Sequence, residues 1–219
     1  THRLNYERAD HYILNIQYEA NDRILRFEGY YKKYSDLVVF DPDLYYDPDL
    51  YNNNGYGYSR GIDVFFRDRK SIKNLDYWVS YSLLDAKRYY RDFPYGAKPT
   101  FAARNNLSVV AKKYVPAITT QFGAVFTWSD GRPYNDPNEE KFMHKVTGNY
   151  ADLSVNISYL TRFFGKPAIL YSSLSNIFGK QNIYGYRYYE TPDTEGIYQA
   201  VPVTSESRRF FMIAFIVTI

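Results

Sequence analysis

Residues 150–159 read YADLSVNISY, and this stretch alternates apolar and polar side chains without a break. Every second residue from Leu153 to Tyr159 is apolar, and every second residue from Asp152 to Ser158 is polar. A period of two residues predicts a β-strand with one apolar and one polar face. In a transmembrane β-barrel the apolar face of such a strand meets lipid, and the polar face lines the lumen.

Eight other segments alternate in the same way, though less regularly, and we expect each of them to form a strand. They are residues 11–19, 23–39, 58–70, 75–83, 101–113, 117–129, 168–176 and 210–219. Trp78 interrupts the polar face of its segment. With residues 150–159 they make nine predicted strands, several of them longer than the 9–11 residues that cross a bilayer at a tilt.

The links between the predicted strands alternate between short and long. The short ones are residues 20–22, 71–74, 114–116 and 161–167, and the long ones are 40–57, 90–100, 130–148 and 177–209. In an antiparallel meander every second link lies at the same end, so all the long links share one end. Outer-membrane barrels have short periplasmic turns and long extracellular loops. A large soluble β-sandwich is the alternative, but its connection rules do not explain this asymmetry.

The sequence therefore predicts an all-β, antiparallel transmembrane barrel. Nine strands cannot close an ordinary bacterial barrel, because antiparallel closure requires an even number. An open sheet would leave two unpaired edges in lipid, where missing hydrogen bonds are costly. We therefore expect residues 1–219 to be a portion of one larger barrel domain.

The composition agrees with a membrane wall and argues against other classes. The chain has 26 tyrosines, 15 phenylalanines and no cysteine. Aromatic residues suit strands and the belts at the two membrane interfaces. The longest apolar run, residues 210–217, is too short for a transmembrane helix, which needs about 20 residues. The net charge of +3 comes with no basic stripe, so we expect no nucleic-acid partner.

Three local patterns carry weaker chemical signals. Residues 57–61 (GYSRG) match the G-x-S-x-G nucleophile elbow, but they lead into a predicted strand rather than a strand–turn–helix. The doubled DPD of residues 41–43 and 47–49 is typical of solvated turns, with a calcium site as the alternative. The three histidines form no ligand-spaced pair. We therefore expect no catalytic residue, no metal site and no cofactor.

Five motifs together resemble the C-terminal part of TonB-dependent outer-membrane receptors of the Bacteroidetes type. They are residues 53–63 (NNGYGYSRGID), 78–86 (WVSYSLLDA), 129–134 (SDGRPY), 174–182 (LSNIFGKQN) and 208–211 (RRFF). The resemblance extends over essentially the whole chain. One departure is the final residue, Ile219, where an aromatic residue is common.

The resemblance implies a 22-stranded barrel with a plugged lumen, of which these would be the last nine strands. It implies import of a scarce nutrient (an iron chelate, another metal, a glycan or a peptide) and no enzyme activity. The implied partners are outer-membrane lipid, the receptor's own N-terminal plug and early strands, the TonB–ExbB–ExbD system and a surface lipoprotein. The plug domain and the early strands have no counterpart in the sequence.

Ten residues are candidate functional positions. Those predicted to face the lumen and the plug are Arg104, Asn106, Asp152, Ser154 and Asn156. Those predicted to contact substrate from the loops are Tyr46, Arg132, Tyr134, Tyr186 and Tyr188. Three groups of tyrosines, at residues 30/31/34, 89/90 and 184/186/188/189, have two interpretations, an interfacial girdle or a stacking surface for sugars or aromatic ligands.

Two other functions remain alternatives at this level. One is a barrel enzyme such as a phospholipase or protease, in which Ser59 or His144 would be catalytic. The other is a receptor-like barrel that serves as a scaffold in a surface complex.

Overall fold

The computed structural model describes residues 4–44 and 46–218. Short 3-10 turns cover Pro42–Leu44, Pro48–Leu50 and Pro116–Ile118. Among the described residues, no helix is long and apolar enough to cross a membrane. The strands are β1 (Arg8–Ala20), β2 (Arg23–Val39), β3 (Asn52–Asp68), β4 (Leu75–Tyr89), β5 (Asn105–Val115), β6 (Thr120–Ser129), β7 (Pro133–Tyr134), β8 (Lys145–Val146), β9 (Tyr150–Phe163), β10 (Lys166–Ser175), β11 (Ile183–Tyr188), β12 (Ala200–Thr204) and β13 (Phe210–Val217).

Nine strands form a single antiparallel meander, in the order β1-β2-β3-β4-β5-β6-β9-β10-β13. The predicted nine-stranded all-β wall is confirmed. The other four strands make two small hairpins inside the long connections, β7 with β8 and β11 with β12. Within the described residues, β1 and β13 each pair along one edge only. These two edges leave backbone donors and acceptors for further strands.

The register places the apolar residues of neighbouring strands side by side. Ile16 pairs with Phe27, Phe27 with Val64, and Val64 with Tyr81, so one rung is apolar across four strands. We call this surface the belt face and the opposite surface the polar face. The apolar and aromatic residues of the belt face are Tyr12, Leu14, Ile16, Tyr18, Ala20, Leu25, Phe27, Tyr31, Tyr56, Tyr58, Ile62, Val64, Phe66, Leu75, Tyr77, Val79, Tyr81, Leu83, Tyr89, Leu107, Val109, Ala111, Val115, Phe122, Ala124, Phe126, Trp128, Ala151, Leu153, Val155, Ile157, Tyr159, Phe163, Ala168, Leu170, Leu174, Phe211, Ile213, Phe215 and Val217.

The belt face is open to its surroundings rather than packed in a core. Leu14 is 62% exposed, Ile16 58% and Phe215 52%. A continuous exposed apolar surface of this kind is a contact surface for a membrane or a partner. Most of the buried apolar side chains lie instead near the loops, for example Leu37, Ala102 and Met143.

The connections alternate in length as predicted. The short ones are residues 21–22, 69–74, 116–119 and 164–165. Asn21 and Asp22 both have positive φ, 52° and 59°, which is the two-residue turn geometry that matches strand twist. The long ones are loop A (residues 40–51), loop B (90–104), loop C (130–149) and loop D (176–209). All four long loops lie at one end of the sheet.

Several predicted strand bounds are wrong. β3 begins at Asn52 rather than residue 58, because residues 52–57 pair with β2 although asparagine and glycine hide their alternation. β5 begins at Asn105 rather than residue 101, since the Ala102 N–H donates to the Pro99 carbonyl and turns the chain. The predicted last strand reached Ile219, which lies outside the described residues.

Candidate functional site

The long loops pack against one another through aromatic rings. Phe142 of loop C lies 4.8 Å from Phe93 and 6.2 Å from Tyr95 of loop B, measured between ring centroids. The backbone N–H of Phe142 donates to the Tyr95 hydroxyl at 2.8 Å. The Asn138 side chain of loop C exchanges two hydrogen bonds, of 2.9 and 2.8 Å, with the backbone of Tyr198 in loop D. Loops B, C and D therefore form one connected layer above the sheet.

Three of the predicted loop residues come together where loops C and D meet. The rings of Tyr134 and Tyr186 are 4.7 Å apart. Burial raises the pKa of the Tyr188 phenol, and the carboxylate of Asp136, which accepts its hydrogen bond, raises that pKa further. Burial also raises the pKa of Tyr134. We call Tyr134, Tyr186 and Tyr188 the tyrosine cluster. The raised pKa values keep the hydroxyls of Tyr134 and Tyr188 protonated at neutral pH.

A cavity of about 330 Å³ opens between the polar face and loops C and D. Its walls include two predicted residues, Asn106 and Arg132. The other lining residues are Thr127, Ser129, Asp130, Thr147, Gly148, Tyr150, Ile183 and Tyr184. A volume of this size is at the lower end of small-molecule sites, which combine apolar walls with a few polar groups.

The local sequence SDGRPY fixes the shape of this cavity. The backbone N–H of Arg132 donates to the Thr147 hydroxyl at 2.9 Å. A Cβ on Gly131 would lie 1.8 Å from the Thr147 carbonyl oxygen, so only glycine permits this approach. Asp130 accepts a 2.6 Å hydrogen bond from the Asn105 side chain, which ties loop C to β5.

Two asparagines of residues 174–182 secure loop D to the wall. The buried Asn182 side chain forms two 3.0 Å hydrogen bonds with the backbone of Ala151 at the start of β9. The Asn176 side chain donates to the carbonyls of Lys180 and Arg208, at 2.8 and 2.6 Å. The motif therefore positions the loop that carries Tyr184, Tyr186 and Tyr188.

Three residues predicted to face the lumen lie on the polar face of β9. The Ser154 hydroxyl donates to Asp152 at 2.6 Å. The Asn156 side chain lies across Gly123, where a Cβ would come within 2.5 Å of its Oδ1. Arg104 is the last residue of loop B rather than a strand residue, and its carbonyl accepts a hydrogen bond from the Leu84 N–H. That the Arg104 side chain faces the plug stays a prediction.

The remaining candidates lie elsewhere. Tyr46 is in loop A, 79% exposed, and does not line the cavity. Ser59 is buried in the middle of β3, between Lys32 and Ala86, so its surroundings are not a nucleophile elbow. His144 lines a separate cavity among lysines. Each DPD begins a turn, in which Asp41 and Asp47 accept from the backbone two residues on. No group of three His, Asp or Glu side chains in residues 4–44 and 46–218 forms a metal site.

The sequence did not indicate Tyr150 and Thr147 as cavity residues, and it indicated Tyr184 only as a member of a tyrosine group. Tyr150 and Tyr184 are 6.1 Å apart, although 34 positions separate them in the chain. Nothing in the local pattern indicates this contact, because the fold of loop D determines it. The position of Tyr150 on the polar face was nevertheless implicit in the alternation of β9.

No protein-family model matches this sequence, and no curated protein matches it. Solved structures do match in fold. The ferric-catecholate import receptor Fiu of E. coli K12 is 11% identical with a TM-score of 0.66, over 98% of this chain and 28% of its own. The ferric yersiniabactin uptake receptor FyuA of Yersinia pestis is 13% identical with a TM-score of 0.71, over 97% and 30%. The FrpB iron transporter of Neisseria meningitidis is 14% identical with a TM-score of 0.65, over 98% and 31%.

These structural neighbours are TonB-dependent outer-membrane receptors. The architecture of this chain is therefore that of a segment of their barrel wall, nine antiparallel strands with an apolar outer face. The chain spans about a third of the length of the structures that it matches.

Proposed function

We propose that this chain is part of the barrel wall of an outer-membrane receptor that imports a scarce nutrient. The observation that carries the proposal is the nine-stranded wall, apolar on one face, with every long loop at one end. In this arrangement the belt face meets lipid, the short turns face the periplasm and the long loops face the medium. Similarity in fold to importers of iron chelates supports the same role.

The wall acts together with parts of the receptor that lie outside this sequence. The remaining strands would pair with the free edges of β1 and β13 and close a barrel of 22 strands. A plug domain would fill the lumen against Asn106, Asp152, Ser154 and Asn156. TonB, with ExbB and ExbD, would pull on that plug to drive import. The five sequence motifs support a receptor of the Bacteroidetes type, in which a surface lipoprotein would cover the loops.

The ligand would bind first at the cavity beneath loops C and D. Arg132 brings a positive charge to the cavity wall, which also holds the rings of Tyr150 and Tyr184, and the tyrosine cluster of the same two loops offers further ring faces. Rings and donors of this kind suit a ligand with planar groups and anionic oxygens. An iron chelate has both features, so we propose that class of substrate and no enzymatic step.

Uptake by cells that carry the full-length protein tests the proposal. Radioactive ferric citrate and a ferric catecholate complex are the probes, and cells that lack the gene are the reference. We expect gene-dependent uptake of at least one probe, reduced about tenfold or more by Tyr134→Ala with Tyr186→Ala. Phe164→Ala, which removes a 90% exposed ring at the short-turn end, should leave uptake unchanged.

Two results would count against the proposal. One is a full-length protein that does not fractionate with the outer membrane. The other is uptake of both chelates that does not depend on the gene.

A further inference from the structure

Three lysines lie next to one another on the belt face, toward the long-loop end of the sheet. Lys33 of β2 pairs with Tyr58 of β3, and Tyr58 pairs with Lys87 of β4. Arg88 and Ala97 exchange two 2.9 Å backbone hydrogen bonds, which places Lys98 of loop B beside Lys87. All three lysines are exposed. We call Lys33, Lys87 and Lys98 the lysine rung.

The lysine rung lies beyond the aliphatic part of the belt face, among its tyrosines. On β4 the last aliphatic belt residue is Leu83, followed on the same face by Asp85, Lys87 and Tyr89. Four residues of strand are about 13 Å, or about 9 Å of height at a tilt near 45°. The polar layer of a bilayer is roughly 5–8 Å thick on each side. The Lys87 backbone therefore stands at the outer boundary of the headgroup layer on the long-loop side, and the long, flexible stem of a lysine there reaches the headgroups.

Nearby carboxylates are engaged by other cations. Asp85 pairs with Arg60 at 2.9 Å, and Asp10, opposite Lys33 on β1, pairs with Arg8 at 2.9 Å. Within the part of the chain that the structure describes, no ion pair includes Lys33, Lys87 or Lys98. The positive charge of the lysine rung is therefore not neutralised by the protein.

Two lysines on the polar face have different surroundings from those of the lysine rung. Lys32, next in sequence to Lys33, lies 5.1 Å from the ring centre of Tyr30. Lys112 lies 5.2 Å from the ring centre of Trp78. Lys32 and Lys112 therefore each contact an aromatic ring of the wall, whereas no such contact includes Lys33, Lys87 or Lys98 among the described residues.

A cavity of about 420 Å³ adjoins the lysine rung. Lys87 and Lys98 line it together with three basic residues of loop C, Lys141, His144 and Lys145. Lys145 pairs with Glu139 at 2.6 Å, which leaves Lys141 as a third unpaired ammonium among the described ion pairs. Ala97, Met143 and Val146 give the cavity apolar walls. It therefore offers ammonium groups and apolar contacts side by side, at the height of the headgroups.

We propose that the lysine rung and this cavity bind phosphorylated lipid headgroups of the leaflet on the long-loop side. The inference rests on the membrane placement given under Proposed function. Lysine ammonium groups bind phosphate as point charges, and a surface lysine strengthens binding to an anionic membrane about fivefold. Such lipids would hold loops B and C against the membrane surface and leave the polar face free for the ligand.

The test uses the full-length protein in detergent micelles, titrated with diphosphorylated lipid A. The variant is Lys33→Gln, Lys87→Gln and Lys98→Gln together. The matched control, with the same change in charge but no substitution on the belt face, is Lys32→Gln, Lys112→Gln and Lys180→Gln. We expect the dissociation constant to rise roughly a hundredfold in the variant and less than threefold in the control.

Three outcomes would overturn the proposal. They are equal losses in variant and control, no loss in either, and equally tight binding of dephosphorylated lipid A. Displacement of lipid A by millimolar inorganic phosphate would also contradict a lipid headgroup as the occupant. So would a variant that loses a bound acidic protein but still binds lipid A. The same variant is also tested for fractionation with the outer membrane. If it fractionates there but binds lipid A as tightly as the unchanged protein, the lysine-rung proposal fails and the proposed function does not.

Discussion

Substituting arginine for Val155 should destabilise the wall strongly, because Val155 lies well inside the belt face. Belt positions on β9 run from Ala151 to Phe163, and Val155 is the third of these seven, flanked by Ala124 and Leu174. It lies four residues from Ala151 and eight from Phe163, about 9 Å and about 19 Å in depth at a 45° tilt, and therefore well inside the apolar layer. A lipid-facing arginine at the bilayer midplane costs about 2–4 kcal/mol. The unfolding equilibrium constant should therefore change by roughly 30- to 1,000-fold.

The assay is equilibrium unfolding of the full-length barrel in lipid vesicles by a denaturant titration. Ser158→Arg is the matched control, since Ser158 lies on the polar face of the same strand between Gln121 and Tyr171. That variant should lose no more than about 0.5 kcal/mol. Equal losses for Val155→Arg and Ser158→Arg, or a larger loss for Ser158→Arg, would refute the assignment of the two faces.

Three further predictions concern the loops. Asn182→Ala should release loop D from β9 and cost about 1–3 kcal/mol, because it leaves the backbone of Ala151 unpaired, whereas Gln181→Ala should cost much less in the same titration. Phe142→Ala removes two ring contacts worth about 0.5–1.5 kcal/mol each and should speed hydrogen exchange in loops B and C but not in β9; unchanged exchange in loop B would contradict the packing. The pKa of Asp193 is held below its ordinary value by the backbone N–H of Ile197 and the side chain of Gln199, so its stabilisation of loop D is present above about pH 4 and lost as the pH falls through the lowered pKa. Hydrogen exchange at Ile197, corrected for intrinsic rates, should show this acid-side loss in the native protein and not in Asp193→Asn.

The strands of the wall could be predicted from the sequence because the alternation of apolar and polar residues is a local pattern. Each belt residue follows its neighbour at a spacing of two, and residues 150–159 show this without a tertiary contact. The predicted start of β3 is wrong because residues 52–57, which are rich in asparagine and glycine, show no alternation of apolar and polar residues. These residues join the sheet because β2 offers a long edge for them to pair with.

The loops could not be derived in the same way. Tyr134 and Tyr186 are in ring contact although 52 positions separate them, and no local pattern joins them. The motif residues Asn176 and Asn182 resemble a family segment, yet their roles as anchors of loop D emerge only from the hydrogen bonds to Arg208 and Ala151. The lysine rung likewise depends on the register between β2, β3 and β4.

A residue-by-residue accessibility scan of β9 tests the central claim most directly. The chain has no cysteine, so single cysteines placed from residue 151 to 159 in a full-length protein without other cysteines can carry spin labels in a bilayer. Labels at 153, 155 and 157 should be reached by oxygen dissolved in lipid, and labels at 152, 154 and 156 should be shielded from it. The account is contradicted if oxygen accessibility does not alternate along these positions, or if it alternates in the opposite phase.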